Sequence, residues 1–195
     1  MKKLIKLPGL IAAVLFLFIC NVALYANEIA GIKIENQASI AGLDKPLQLN
    51  GVGIRYKFFF KVYVGALYLA QKQNNPQNIL KNDGPNRILM HFVYDEVSQE
   101  KLINAWQEGF ENNIDKAAFE KIKVRLAKFN TLFSTVYAGD VVLLDYLPAK
   151  GTTVSVKGVE KGVIEGADFN RALLSVWLGD EPVTEDLKDA MLGNE

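Results

Sequence analysis

The 195-residue chain balances 22 basic against 22 acidic side chains, so its formal net charge at pH 7 is zero. Such a balance lacks the excess of Lys and Arg that neutralises phosphates, and we expect no nucleic-acid partner. Cys20 is the single cysteine and His91 the single histidine. One cysteine excludes an internal disulfide, and one histidine without a second soft ligand argues against zinc or copper, so we expect no metal and no cofactor.

The first 26 residues have the pattern of a secretory signal peptide. Three lysines precede an apolar run from Leu10 to Ile19, and polar chain follows from Asn27. The alternatives are a membrane anchor, for which the run is short of the ~20 residues that span a bilayer, and lipoprotein processing at Cys20, which bulky preceding residues disfavour. We predict cleavage after Ala26, export by a bacterium to the periplasm or beyond, no integral membrane segment after cleavage, and a single domain over residues 27–195.

The first half of that domain is predicted to be mainly extended. Residues 28–38 alternate apolar and polar side chains, which predicts one or two edge strands. A turn is predicted from Asn50 to Gly53, followed by a long strand from Lys57 to Leu69. Aromatic side chains fall on both faces of this strand, so we expect both faces to be covered. Residues 74–84 mix turn residues with a short apolar patch, and residues 86–94 predict another strand.

The second half alternates helical and extended patterns. From Ser98, a predicted N-cap, apolar side chains recur at helical spacing, and a second amphipathic helix continues to Phe129. Residues 141–147 and 152–156 predict a hairpin, and residues 158–166 a further extended piece. Residues 169–178 predict a helix, and Thr184 caps a last helix that stops at Gly193. Strands in runs and helices in pairs indicate the α+β class with a mainly antiparallel sheet.

Four stretches of the sequence resemble the chalcone isomerase superfamily, and most closely its bacterial, exported, chalcone isomerase-like branch. They are Leu49-Asn-Gly-Val-Gly-Ile-Arg55, Val64-Gly-Ala-Leu-Tyr-Leu69, Tyr94 twelve residues before Trp106, and Ala172-Leu-Leu-Ser-Val-Trp-Leu-Gly179. The resemblance covers residues 29–193. It implies an open-faced β-sandwich, in which a layer of helices covers one side of a large antiparallel sheet. A ligand cleft is then expected between the sheet and the helices.

The resemblance also implies a set of site residues. In the plant enzymes of the superfamily, an arginine after the glycine pair holds a substrate oxyanion and a tyrosine assists through a water; Arg55 and Tyr94 match these positions. A threonine and an asparagine of the family are replaced by Tyr63 and Lys101. Tyr63 takes up room that a flat two-ring substrate needs, and Lys101 adds a cation that attracts a carboxylate. Fatty-acid-binding members are similar in keeping the arginine and tyrosine as carboxylate ligands.

We therefore expect Arg55, Tyr94, Tyr63 and Lys101 to bind a ligand, with Arg55 and Tyr94 catalytic only if the protein is an enzyme. The favoured hypothesis is binding of a small anionic amphipathic ligand, such as a fatty acid. An isomerase or intramolecular lyase acting on an enone or phenolic compound, and a structural or partner-binding protein of the cell envelope, remain open. Arg55 also has purely structural alternatives, which are hydrogen bonds to sheet-edge carbonyls or an ion pair with an acid such as Asp140 or Asp145.

Overall fold

The computed structural model describes residues 27–194, and the predicted signal peptide lies outside this range. Its centre is a seven-stranded sheet whose order is β11-β10-β9-β6-β5-β4-β3, flanked by two small ladders, β1-β2 and β7-β8. The strands are β1 (Asn27–Ile29), β2 (Ile32–Ile34), β3 (Gln37–Ala38), β4 (Leu47–Lys57), β5 (Phe60–Leu69), β6 (Asn86–Phe92), β7 (Glu96–Val97), β8 (Val136–Tyr137), β9 (Val141–Leu147), β10 (Gly151–Val156) and β11 (Val159–Ile164).

Three of the described helices lie between strands along the chain, and the last two follow β11. The helices are α1 (Pro76–Lys81), α2 (Gln99–Asn113), α3 (Lys116–Asn130), α4 (Ala167–Leu178) and α5 (Glu185–Leu192). Strands that follow one another along the chain are neighbours in the large sheet. Strands β6 and β9 are also neighbours there, although α2, α3 and the β7-β8 ladder lie between them in the sequence. The strand pairs are antiparallel. The predicted α+β class and the open-faced sandwich are therefore confirmed.

A large hydrophobic core joins the helix layer to one face of the sheet. Helices α2, α3, α4 and α5 contribute buried side chains to it, and α4 is buried along most of its length because it packs against both α2 and β10. Aromatic rings fill the centre: Trp106 contacts Phe129 at 5.4 Å and Trp177 at 5.7 Å between ring centroids. Large buried aromatics contribute most to such a core. No helix in residues 27–194 combines the length and apolarity needed to cross a bilayer.

The helix ends follow the predicted capping pattern in part. The Ser98 hydroxyl accepts a hydrogen bond from the Lys101 backbone N–H at 3.3 Å, so this N-cap is confirmed. Gly193 ends α5 with a left-handed φ of 71°, also as predicted. Thr184 occupies the N-cap position of α5, but its side chain makes no capping hydrogen bond.

A smaller hydrophobic cluster covers the opposite face of the sheet. Residues from the segment before β4, such as Ile34 and Ile40, pack there against Val64 and Tyr68 of β5. The Tyr68 hydroxyl donates to the Glu35 carbonyl at 2.9 Å. The prediction that both faces of the long strand are covered is thus correct for its second half.

The predicted turn at Asn50 to Gly53 is wrong, because β4 runs straight through it with a register shift between Leu49 and Gly51. The glycines serve helix packing as well as this bulge. A Cβ at Gly53 would lie 2.6 Å from the Cβ of Ala190, and one at Gly51 would overlap the Ala190 carbonyl oxygen. The absence of side chains here lets α5 lie directly on β4.

The turn lies instead at Phe58 and Phe59, between Lys57 of β4 and Phe60 of β5. The predicted strand from Lys57 to Leu69 therefore begins three residues too early. Phe58, Phe59 and Phe60 are 85%, 95% and 58% exposed, so the prediction of two covered faces is wrong at this end. The patch within residues 74–84 forms α1, whose N-cap Asn75 accepts from the Asn78 N–H at 3.1 Å.

Candidate functional site

A cavity of about 270 Å³ lies between the sheet and the helix layer, close to the turn that joins β4 and β5. Its inner wall is apolar and aromatic. The apolar lining residues are Phe58, Phe60, Val62, Met90, Phe92, Val97, Leu102, Ala105, Trp106, Val176, Trp177 and Val183. All four side chains that the sequence predicted also line it: Arg55, Tyr63, Tyr94 and Lys101. The fold thus brings together residues from β4, β5, the loop after β6, and α2.

Arg55 lies on β4 directly opposite Tyr63 of β5, and its guanidinium carbon is 5.8 Å from the centre of the Tyr63 ring. It is half-buried, and no carboxylate among the described residues forms an ion pair with it. Asp145 binds Arg87 at 2.5 Å, and Asp140 binds Lys157 at 2.9 Å. The ion-pair alternative for Arg55 is therefore wrong for both acids, and the Arg55 side chain makes no hydrogen bond to a carbonyl within residues 27–194 either.

The Tyr63 hydroxyl lies in the buried interior, where it accepts a hydrogen bond of 2.9 Å from the indole N–H of Trp177. Within residues 27–194 its own proton has no acceptor. Burial raises the pKa of the Tyr63 phenol, although the charge of Arg55 and the Trp177 hydrogen bond act in the opposite direction. At neutral pH the hydroxyl stays protonated, so it is available as a donor to a ligand oxygen.

Tyr94 and Lys101 lie at the mouth of the cavity. The Tyr94 ring meets Phe60 edge to face, with centroids 5.6 Å apart, and is 37% exposed. Lys101 lies in the first turn of α2, is exposed, and forms no ion pair with any described residue. A cation in the first turn opposes the helix dipole, so this lysine does not serve helix stability. It adds to the positive potential at the mouth.

The charges around the cavity favour an anion. Arg55, Lys57 and Lys101 line it, and Glu96 is the one carboxylate among the described lining residues. The N-terminus of α2, whose first N–H groups are those of Gln99 to Lys101, is the positive end of the helix dipole and also favours an anion. Three cations against one acid, beside an apolar interior, suit a molecule with a negative head and an apolar body.

Two tryptophans in the lining were predicted only as helix core. Trp177 holds the Tyr63 hydroxyl, and the indole N–H of Trp106 is buried without a hydrogen-bond partner in residues 27–194. Buried donors are rarely left unpaired, so an unpaired donor in the lining of a cavity is a candidate contact for a bound molecule or water. Nothing in the spacing of the sequence distinguishes these indoles from packing residues, since Trp177 and Tyr63 are 114 residues apart.

The described residues offer no metal site: no group of three or more His, Cys, Asp or Glu in residues 27–194 could hold an ion. His91 alternates along β6 with Met90 and Phe92, which face the main core and the cavity, so it lies on the other face of the sheet. Burial lowers the pKa of His91 and favours its neutral form. It does not contribute to the cavity.

Comparison with known proteins agrees with this architecture. A model of the chalcone isomerase-like family matches residues 26–193. No curated protein matches the chain in a sequence search. The crystal structure of a fatty-acid binding protein of Arabidopsis thaliana is similar, with a TM-score of 0.69 and 18% identity over 87% of this chain and 97% of that one. At this identity the structural likeness shows the fold, whereas the family match spans nearly the whole described chain. The chain belongs to the chalcone isomerase-like family.

Proposed function

We propose that the protein binds a small anionic amphipathic molecule, a fatty acid or a similar carboxylate, in the cavity between sheet and helices. The observation that carries this proposal is Arg55. Its permanent charge lies at the edge of an apolar cavity and is paired with no acid among the described residues. A half-buried guanidinium without a counter-ion is costly, and a ligand carboxylate supplies the missing partner.

The Tyr63 hydroxyl completes the head-group site. It lies opposite Arg55 in the strand register, is fixed by Trp177, and keeps a proton to donate. Arginine and a neutral phenol together satisfy two oxygens of one carboxylate. Lys101 and Tyr94, nearer to solvent, attract the anion and orient it.

The apolar wall accommodates the body of the ligand. A volume of about 270 Å³ is close to the lower limit of ~300 Å³ for ligand pockets, so the site suits one modest chain rather than a large ring system. Each buried CH₂ contributes about 0.8 kcal/mol, which makes affinity rise with chain length until the cavity is full. The likeness in fold to a fatty-acid binding protein supports the same ligand class.

Binding accounts for the site better than catalysis does. Tyr63 fills space beside Arg55 with a buried ring, and Tyr94 lies at the rim against Phe60. An intramolecular lyase needs its substrate oxyanion and assisting group arranged around one reacting centre. The cavity also argues against a scaffold whose cleft has been filled, because it leaves room next to an unpaired cation.

We further propose that the chain is exported, with residues 1–26 as the cleaved signal, and acts in the periplasm or outside the cell of a bacterium. This rests on the lysine-led apolar start of the sequence. N-terminal sequencing of the protein from its host checks it, and a mature terminus at Asn27 is expected.

Isothermal titration of the protein with octanoate, dodecanoate and dodecanol tests the ligand proposal. We expect dodecanoate to bind more tightly than octanoate, and at least tenfold more tightly than the uncharged alcohol. Arg55→Gln should abolish the preference for the carboxylate, whereas the matched control Arg87→Gln, on the other face of the sheet, should keep it if the variant remains folded.

Equal affinity for acid and alcohol, or no heat with any chain length, would contradict the proposal. Turnover of a chalcone-like enone that is lost in Arg55→Gln would replace binding with catalysis. Native mass spectrometry of the protein from its own host gives an independent check, because co-purifying acyl species should be absent from Arg55→Gln.

A further inference from the structure

The exposed aromatic side chains of the described domain are concentrated at one place. Eight large hydrophobic side chains in residues 27–194 are exposed, and three of them, Phe58, Phe60 and Tyr94, line the cavity. Two more, Tyr56 and Phe59, lie on the same β4-β5 hairpin as Phe58 and Phe60. Phe58, Phe59 and Phe60 follow one another at the tip of the β4-β5 hairpin, and we call them the aromatic tip. Isolated exposed apolar residues are ordinary, but a contiguous group marks an interaction surface.

Neither packing nor turn geometry accounts for the phenylalanines at the two turn positions, Phe58 and Phe59. Phe59 is 95% exposed and lines no part of the cavity. Phe58 adopts a φ of 57°, in a region where glycine or asparagine is the usual residue and a bulky side chain is uncommon. Small polar residues would make this two-residue turn with less strain and better solubility.

The charges next to the aromatic tip point to one kind of partner. Lys57 and Lys61 flank it, and the sequence contains no acidic residue between Asp44 and Asp83. Glu96 at the cavity mouth partly offsets these charges. Aromatic side chains between lysines suit the interface of an anionic bilayer, where rings enter the head-group layer and lysines bind phosphates.

We propose that the aromatic tip inserts into the surface of an anionic lipid bilayer and holds the cavity mouth against it. Phe58 and Phe60 are both tip residues and cavity-lining residues, so the bound tip places the cavity entrance at the lipid. That an amphipathic ligand passes directly between bilayer and cavity rests on the proposed function, whereas the insertion itself does not.

An environment-sensitive fluorophore at the aromatic tip tests the insertion in the full chain. The label is attached to Phe59→Cys in a Cys20→Ser background, and the matched control carries it at Val124→Cys, an exposed position on α3. With vesicles of phosphatidylglycerol and phosphatidylethanolamine, we expect a blue shift and a several-fold intensity gain at position 59 and none at position 124. A local reporter is needed because residues 1–26, present in both proteins, can themselves bind lipid.

The electrostatic part is tested by adding Lys57→Glu and Lys61→Glu to the labelled protein. Each lysine near an anionic surface contributes about 1 kcal/mol, so the lipid concentration at half-maximal shift should rise at least tenfold. Pure phosphatidylcholine vesicles should give a weak response. No change at position 59 would overturn the proposal, as would equal changes at positions 59 and 124. A shift at position 59 that grows with protein concentration without lipid would assign the tip to self-association instead.

Phe59→Ser separates this inference from the proposed function. With a label at position 58 (Phe58→Cys), it should raise the lipid concentration at half-maximal response about tenfold. As a single, unlabelled substitution, Phe59→Ser should leave dodecanoate affinity in vesicle-free solution unchanged, because Phe59 does not line the cavity. Arg55→Gln should weaken dodecanoate binding and leave vesicle binding unchanged. Tip insertion in a protein that binds no dodecanoate would refute the ligand proposal alone.

Discussion

Arg55 and Arg87 lie on opposite faces of the same sheet and have opposite electrostatic surroundings. Arg87 makes a two-pronged ion pair with Asp145 of β9, at 2.5 Å and 2.6 Å, and adds a longer contact to the Ser39 carbonyl. Arg55 faces the cavity, lies against the Tyr63 ring, and forms no ion pair with a carboxylate in residues 27–194. The fold therefore neutralises Arg87 internally, whereas within residues 27–194 it gives Arg55 no ion pair, which is the basis of the ligand role proposed for Arg55.

Two buried tyrosines of β5 repeat this contrast. The Tyr68 hydroxyl, on the outer face, donates its proton to the Glu35 carbonyl, so this donor is satisfied within the fold. The Tyr63 hydroxyl, on the cavity face, accepts from Trp177 and keeps its proton free of any acceptor in residues 27–194. The outer face therefore satisfies its polar groups internally, and the cavity face leaves donors available.

The largest effect is expected from Arg87→Ala. Removal of the guanidinium leaves the Asp145 carboxylate, 13% exposed, without its partner, and we expect the free energy of unfolding to fall by about 3 kcal/mol. Urea denaturation followed by circular dichroism measures this. If Arg55→Gln proves equally destabilising, the two arginines do not differ as described.

Arg55→Gln should change binding rather than folding. Loss of the charge that pairs with a ligand carboxylate costs about 2 kcal/mol, so dodecanoate affinity should fall about 30-fold. The free energy of unfolding without ligand should stay within about 0.5 kcal/mol of the wild type, since no internal ion pair is lost. Titration calorimetry and urea denaturation on the same samples give both values, and unchanged dodecanoate affinity would refute the assigned role.

The outer tyrosine should make stability sensitive to alkaline pH. Burial raises the pKa of Tyr68 to about 12; the charge of Arg87 lowers it and that of Glu35 raises it. The folded state therefore keeps a proton that the unfolded chain loses near pH 10. Stability from this group is complete below pH 10 and falls by about 2 kcal/mol as pH rises to 12. Denaturation at several pH values should show that extra loss in the wild type relative to Tyr68→Phe.

Tyr63→Phe should lower both the stability of the fold and the affinity for dodecanoate, each by a moderate amount. The buried Trp177 N–H loses its acceptor, which we expect to lower the free energy of unfolding by about 1.5 kcal/mol. Dodecanoate affinity should fall about fivefold, because one donor to the carboxylate is removed. A drop in stability without any change in affinity would make Tyr63 a structural residue only.

Lys101→Gln should give the smallest effect. An exposed cation contributes little at close range, and we expect dodecanoate affinity to fall about threefold at low salt and hardly at all at high salt. Titration at two ionic strengths measures the difference. Lys128→Gln, also on the helix layer but outside the cavity lining, should show no such dependence on salt.

The sequence alone indicated the fold class because its patterns are local. Alternation of period two and helical spacing located most strands and helices, and Ser98 and Gly193 were recognised as helix ends from their residue types. The turn at Phe58 and Phe59 was missed because phenylalanine is a strand former and nothing local marks a tight turn there. The glycines at positions 51 and 53 suggested a turn because glycine is a common turn residue. Their actual role, close contact with Ala190, could not be predicted because Ala190 lies on a helix far along the chain.

The family pattern in the sequence was sufficient to select Arg55, Tyr94, Tyr63 and Lys101, which the fold then brings to one cavity. Only the tertiary structure decided which groups each of them contacts. Whether an arginine is paired depends on which acid reaches it across the sheet, and Asp145 lies beside Arg87 rather than Arg55. The free donors of Tyr63 and Trp106, and the exposure of the aromatic tip, likewise follow from contacts between distant segments, which no local pattern encodes.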